Sequence, residues 1–243
     1  MNPDTYALAA AVEEEHWWFV GRRQVLCAVL DHCIGTGKQR RVLEVGCGNG
    51  GNLKFLSRYG SVSAIELEDG ARARAKSRGL ARVEKGWLPD GLPFNEEKFD
   101  LVAALDVIEH VDDDLAALER LRGRLHDGGT LLLTVPAYPW LWSRHDELSH
   151  HRRRYTAKVL DRLLSQAGFR ATFTSYFNTF LFPAGVAHIK FSALLEKNPH
   201  AAMKIPANPL NWMLRNIFGA ESHFVPRIRL PFGISLVTCA VVA

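Results

Sequence analysis

The sequence predicts an α/β fold, a doubly wound and mostly parallel sheet covered by helices on both faces. Two observations carry this. From residue 41 onward, short apolar runs of strand length alternate with longer segments of helical periodicity. The first of these runs, Arg41-Val-Leu-Glu-Val, passes directly into glycines, as a strand does where it hands over to a helix around a ligand. The handedness of parallel crossovers leaves the doubly wound sheet as the closure.

The elements follow in order. Residues 20–33 form an amphipathic helix with Val25, Leu26, Val29 and Leu30 as its apolar stripe, ended by Gly35-Thr-Gly-Lys. Strands are expected at 41–45, 61–67, 81–85, 99–105, 130–135, 169–175 and 236–242. Helices are expected at 52–58, 70–78, 115–125 and 157–167, the last capped by Thr156. The segment 177–233 breaks the rhythm, and a connection this long carries structure or function of its own. The expected organisation is a helical cap (1–40), a ligand-binding core (41–176), an apolar helical insertion (177–233) and a last core strand (234–243).

Composition narrows the class. Hydrophobic residues make up 47% of the 243, enough for a real core. The formal net charge of +4 is too small to argue for a nucleic-acid partner. Cys27, Cys33, Cys47 and Cys239 form neither a C-x-x-C pair nor a set with zinc-ligand spacing, so reduced thiols, no metal and a cytoplasmic setting are expected. Neither a signal peptide nor a membrane-spanning run is expected.

The chemistry centres on Glu44-Val-Gly-Cys-Gly-Asn-Gly-Gly51. Gly46, Gly48 and Gly50 allow a tight turn and close approach to a ligand. Their G-x-G-x-G spacing departs from the G-x-G-x-x-G of dinucleotide enzymes. Glu44, two residues before the first glycine, suits a cofactor with a cationic amino group. Glu66 lies 20 residues after Gly46, where an acid accepts from ribose hydroxyls.

These residues resemble the class I S-adenosylmethionine-dependent methyltransferases, among them the ubiquinone-biosynthesis type. E-V-G-C-G-N-G looks like their first motif and Ala64-Ile-Glu-Leu like the second. Residues 92–102, Asp106-Val-Ile-Glu-His-Val and Leu125-His-Asp-Gly-Gly-Thr-Leu-Leu-Leu resemble later elements in the same order. The resemblance implies a Rossmann-like seven-stranded sheet with its last strand antiparallel, and S-adenosylmethionine as cofactor. It places Gly46, Cys47, Gly48 and Gly50 around the amino-acid end of the cofactor near Glu44, Glu66 on the ribose, Leu67 beside the adenine and Asp106 along the pocket. The family often has an acid that meets the adenine amine; Trp87 and Leu88 stand there instead. Trp87 either packs on the adenine or caps the core.

Methyl transfer to a hydroxyl usually calls for a base, and histidine suits neutral pH. The candidates are His110, His145, His150 and His151. His110, in a position the family places near the active site, either acts there or packs behind it. The run 142–157 resembles a H-D-…-H-x-R-R-Y-T pattern found in a subset of these enzymes, some encoded with glycan or lipid pathways. By that resemblance His110, His151 and Tyr155 are expected in catalysis and His145, Asp146, Arg153 and Arg154 in substrate contact, the arginines holding a carboxylate or phosphate. A solvated basic run before a helix is the other reading of this loop.

Residues 177–233 fit two short helices with apolar faces, serving as a packed subdomain, a lid over a lipid-like or aromatic substrate, a dimer contact or a membrane-surface element with Lys190, Lys197, Lys204 and Arg215 toward headgroups. Trp17, Trp18 and Phe19 either cap the pocket or pack on the sheet. The leading expectation is a methyltransferase acting on oxygen in a small or lipid-linked acceptor. A non-catalytic module binding S-adenosylmethionine, a nicotinamide-dependent oxidoreductase and a nucleic-acid methyltransferase stand behind it. The loop spacing opposes the oxidoreductase, and Leu105-Asp-Val-Ile in place of an Asn/Asp-Pro-Pro-aromatic motif opposes the last.

Overall fold

The computed structural model describes residues 3–37, 39–94, 96–195 and 204–243; Lys38, Lys197 and part of the 177–233 segment lie outside them. The chain opens with α1 (Pro3–Val12) and α2 (Trp17–Ile34). His16 starts α2, its side chain accepting from Trp18 N, and Gly35 at φ 68° ends it. Val25, Leu26, Val29 and Leu30 are fully buried, as their spacing predicts.

Seven strands follow: β1 (Arg40–Val45), β2 (Gly60–Glu66), β3 (Arg82–Lys85), β4 (Phe99–Leu105), β5 (Leu125–Pro136), β6 (Phe169–Phe177) and β7 (Ser235–Val242). They form one sheet in the order β3-β2-β1-β4-β5-β7-β6. Only β7 runs antiparallel, between β5 and β6. Side chains alternate across the sheet, so each face has its own core. Leu101 and Ala103 of β4 join Leu26, Leu30 and Leu56 on one side. Val102 and Ala104 join Leu118, Leu121, Leu160 and Leu164 on the other, from α5 (Asp114–Arg122) and α7 (Ala157–Gln166).

Three elements differ from the sequence expectation, the first being the helix expected at 115–125, which ends at Arg122 because Leu125 already belongs to β5. The helix after β1 is a single turn, α3 (Leu53–Leu56), rather than 52–58. Tyr59 is fully buried, and its hydroxyl donates to Asp31 Oδ1 at 2.7 Å, which draws the chain inward and cuts the helix short. Strand β5 begins at Leu125 rather than 130. Phe99 faces Leu125 but Leu101 faces Thr130, so residues 126–129 form a bulge within the strand. The remaining helix on this side of the chain, α4 (Asp69–Ser77), falls where the periodicity places it.

The segment after β6 carries two helices, α8 (Phe182–Leu195) and α9 (Asn208–Ala220). Helix α9 packs on α2. Phe218 is fully buried, stacks on Phe177 at a centroid distance of 6.1 Å, and lies so close to Gly21 that a Cβ there would sit 2.7 Å from the ring. Asn211 accepts from Trp17 N and donates to Glu15 O, each at 2.9 Å. The carboxylate of Glu221, fully buried, accepts from Asn178 N and Phe180 N and so ties the end of α9 to the turn after β6.

Phe218→Ala is expected to cost about 3–5 kcal/mol, the usual range for removing a buried aromatic ring, seen as a lower urea midpoint. An unchanged midpoint would show that α9 contributes no packing to the core.

Candidate active site

Strands β1, β2, β4 and β5 all deliver their carboxyl ends to one edge of the sheet. The order β2-β1-β4 places β1 at the point where the strand order reverses, which is where open sheets of this kind bind their ligands. Glu44 is 1% exposed near the end of β1. Its Oε1 accepts from Asn52 Nδ2 at 3.0 Å, and its Oε2 is buried with no partner among the described residues. Burial pushes its carboxyl up to about 8. The loop glycines have φ of 68°, 55° and 83° at Gly46, Gly48 and Gly50, all left-handed. A Cβ on Gly46 would lie 2.8 Å from Val107, so the loop sits tightly against the turn that follows β4. The buried thiol of Cys47 is pushed up by burial and by Glu44 and Glu66.

Glu66 ends β2. Its Oε2 accepts from Gly48 N at 2.8 Å, and its Oε1 accepts from Glu68 N at 2.9 Å and from Tyr6 Oη at 3.3 Å. Tyr6 belongs to α1, which lies over the glycine loop: Asn49 Nδ2 donates to Tyr6 O at 2.8 Å, and the Glu13 carboxylate packs on Gly51 and pairs with Arg78. Leu67 and Trp87 are 55% and 48% exposed at the rim, and Leu88 is half-buried. Asp106, after β4, has φ 59°. It accepts from Arg22 at 2.7 Å and from Thr134 at 3.0 Å.

A second cluster adjoins the first. A 3-10 turn, Ile108–His110, follows Val107. Glu109 is fully buried, neither carboxyl oxygen is paired among the described residues, and burial, then Asp106, pushes it well above the usual carboxyl range. His110 and His151 meet edge to face at 4.6 Å between ring centroids. Burial, then His151, lowers His110 to about 4, so it is neutral at physiological pH. His151 arrives on the loop between α6 (Arg144–Leu148) and α7, held by the Arg152 N–H donating to Glu109 O at 2.7 Å. His151 Nδ1 lies 2.8 Å from Asp146 Oδ1.

A family model described as a methyltransferase domain matches residues 17–172. The chain belongs to the S-adenosylmethionine-dependent methyltransferases. S-adenosylmethionine is the cofactor of this family. Among curated relatives, the chain is 33% identical to a ubiquinone biosynthesis O-methyltransferase of Dinoroseobacter shibae, over 54% of this chain and 60% of that protein. It is 31% identical to a tRNA U34 carboxymethyltransferase of Campylobacter hominis, over 39% of this chain and 35% of that one. The matches thus span about a third to three fifths of these relatives' lengths. In fold, it superposes with a TM-score of 0.64 at 18% identity on a chain from the complex of the Haloferax volcanii Trm112 methyltransferase activator with its methyltransferase, covering 98% of this chain and 94% of that one.

Of the residues expected in substrate contact or catalysis, Asp146, Arg153, Arg154 and Tyr155 are engaged by partners within the protein. Asp146 is fully buried. Arg154, also buried, grips it with two bonds of 2.8 Å and donates to Ala137 O. Ser143 adds two more donors, capping α6. Burial alone would raise Asp146, but the bonds from His151 and Arg154 outweigh it and hold the carboxyl below the usual range. Arg153 pairs with Asp114 at 3.0 Å and donates to Asp112 O. Tyr155, expected in catalysis, is 2% exposed and donates to Asp114 Oδ2 at 2.8 Å. The arginines are spent on internal acids, so they do not present a free fork to an anion. His145 stands at the surface, its ring 6.2 Å from that of His151. Sequence reading missed Arg22, Tyr6 and Glu109. Arg22 lies three residues after Phe19, but only tertiary contact puts it on Asp106.

Arg154→Ala leaves the buried Asp146 charge short of its main partner and is expected to cost about 3–5 kcal/mol by urea unfolding. Because the folded carboxyl sits below its ordinary 3.8, its stabilisation is in place above that value and is lost as the pH falls toward the lower folded value. Asp146→Asn is therefore expected to flatten the acid side of the stability curve below about pH 4; an acid limb identical to wild type would contradict this.

Proposed function

We propose that this methyltransferase methylates a hydroxyl of a small or lipid-linked acceptor. The observation that supports it is the Asp146–His151 pair, set beside His110 and the carboxyl end of β4. When bound, the cofactor supplies an electrophilic methyl on a sulfonium sulfur. Its fit to this chain rests on the unpaired, buried Glu44 Oε2, which suits the ammonium of an amino acid. Gly46, Cys47, Gly48 and Gly50 would wrap that end, Glu66 would exchange the long Tyr6 bond for a ribose hydroxyl, and Leu67, Trp87 and Leu88 would flank the adenine. Asp106, held by Arg22, would line the pocket.

Asp146 holds the Nδ1–H of His151, which leaves Nε2 as the basic nitrogen. That nitrogen draws the proton from the acceptor hydroxyl as the oxygen attacks, and Asp146 stabilises the resulting imidazolium. An apolar rim lies just beyond β5. Tyr138 stacks on Tyr176 at 5.0 Å, and Trp140, Phe180 and Phe232 are 52%, 46% and 43% exposed. This rim would take the apolar part of a lipid-linked acceptor or rest on the membrane that carries it. No helix among the described residues is long and apolar enough to cross a membrane. The ubiquinone-pathway relative supports an oxygen acceptor; the small net charge supports an acceptor other than nucleic acid.

Calorimetric titration is expected to show micromolar binding of S-adenosylhomocysteine and none of NAD. Binding of neither would remove the cofactor site and the reading with it. Glu44 also sets a pH dependence. Its folded value of about 8 lies above its ordinary 4.5, so the ligand-free protein keeps it neutral at pH 7, and the cost of doing so grows from about pH 4.5 to 8. A cationic ligand favours the ionised form. Binding at pH 7 is expected to release close to one proton and to tighten up to about pH 8; Glu44→Gln is expected to abolish the release. Equal proton release in that variant would take the role from Glu44. His151→Ala is expected to lower kcat by about 100-fold or more with S-adenosylhomocysteine affinity unchanged; an unchanged kcat would exclude His151 from the chemistry.

A further inference from the structure

We propose that Cys33 and Cys239 form an oxidative modification site, a thiol pair that a peroxide converts to a disulfide bond within the folded chain. Helical spacing sets Cys33 on the same face of α2 as Val29 and Leu30, both fully buried. That face packs on the sheet. Strand alternation turns Cys239 of β7 to the same side, into the core against which Cys33 packs. Its cross-strand neighbours are Leu132 and Phe173. His32, beside Cys33, meets the Phe173 ring edge to face at 6.1 Å, so the last turn of α2 lies over this part of the sheet. Residues 206 positions apart in the chain thus bring their thiols together, and the two share a hydrogen bond.

The two thiols are not equivalent. Cys239 is fully buried, whereas Cys33 is partly exposed. With Val241, Cys33 lines an open cavity of about 680 Å³ at the amino ends of β1 and β4, the sheet edge opposite the glycine loop. The hydrogen bond from Cys239 holds the Cys33 thiol below its usual range, against the effect of burial. The same bond, and then burial, push Cys239 well above that range. Access and thiolate character mark Cys33 as the sulfur that a peroxide meets, and Cys239 as the thiol that resolves the product. The other two thiols stand elsewhere: Cys27 accepts from Arg58 Nη1 at 3.2 Å, and Cys47 is buried in the glycine loop.

The chemistry has two steps. The Cys33 thiolate attacks one peroxide oxygen, the O–O bond breaks, and the departing hydroxide takes up the thiol proton as water. This leaves Cys33 as a sulfenic acid. The Cys239 sulfur then attacks the Cys33 sulfur, the S–O bond breaks, and the hydroxyl leaves with the Cys239 proton as a second water. Two thiols are oxidised by two electrons, and one peroxide is reduced to two waters. The bond ties the end of α2 to β7 across most of the chain and so restricts the unfolded state. It does not depend on which acceptor the enzyme methylates.

The test uses the full chain, reduced and desalted, then treated with a few equivalents of hydrogen peroxide in native buffer. Free thiols are alkylated in denaturant without reductant and mapped by mass spectrometry. The expected result is two alkylated cysteines of the four, with Cys33 and Cys239 in one cross-linked peptide pair that dithiothreitol separates. The thermal midpoint is expected to rise by about 5 °C. Cys33→Ser is expected to keep its remaining thiols free, Cys239→Ala to collect added oxygens on Cys33, and Cys27→Ser to form the bond as wild type does. Circular dichroism checks each fold, and the half-buried Cys33→Ser keeps the test open should Cys239→Ala unfold. Four free thiols after treatment, a different pairing, or oxygens on Cys33 beside a free Cys239 overturns the site. So does a bond that forms only in urea, or one that leaves the midpoint unchanged or lowered, since the native fold then does not accommodate it.

Discussion

The constraint on which the rest depends is the reversal of strand order at β1. With β2 on one side and β4 on the other, the connections leave the sheet in opposite directions, the arrangement that makes the carboxyl ends of such sheets their ligand-binding edge. Most of the acids and the glycine loop then arrive at one edge by chain direction alone, whereas Tyr6 and Arg22 come from α1 and α2. Glu44 and the glycine loop come from β1, Glu66 from β2, Asp106 and His110 from β4, and the loop carrying His151 follows β5. The tight contact between Gly46 and Val107 joins the β1 and β4 contributions into one surface, so the cofactor loop and the histidine cluster share a wall.

That edge concentrates acidic groups, and each is accommodated differently. Asp146 is stabilised by Arg154, His151 and Ser143. Asp106 is bound by Arg22 and Thr134, and Glu66 by two backbone N–H groups and Tyr6. Glu44 is kept neutral by burial, and among the described residues neither carboxyl oxygen of Glu109 has a side-chain partner. A fold selected for stability alone would replace such groups with apolar ones. The two that are left unsatisfied, Glu44 and Glu109, mark the places where a ligand does most to complete the structure.

Much of this was legible in the sequence. The burial of Val25, Leu26, Val29 and Leu30, the span of β4 and the glycine loop before Glu66 follow from local periodicity and from the steric demands of a tight turn. The basic loop was read less well. Arg153, Arg154 and Tyr155 look free for a substrate when only their neighbours in the chain are considered, yet Asp114 and Asp146 engage them in the fold. Likewise α1, with no marked apolar stripe, gives no hint that Tyr6 reaches Glu66, 60 positions away.

The sequence by itself determined the strand–helix alternation, the turn at Gly46 to Gly50 and the acids that flank it, because these are properties of neighbouring residues. Only the tertiary structure decided which polar side chains are spent on one another and which are left for a ligand. Glu109, His110 and His151 meet because a bond between Arg152 and Glu109 closes a loop across the sheet edge. Spacing along the chain carries no information about such a closure, since its energy comes from burial and pairing between distant segments.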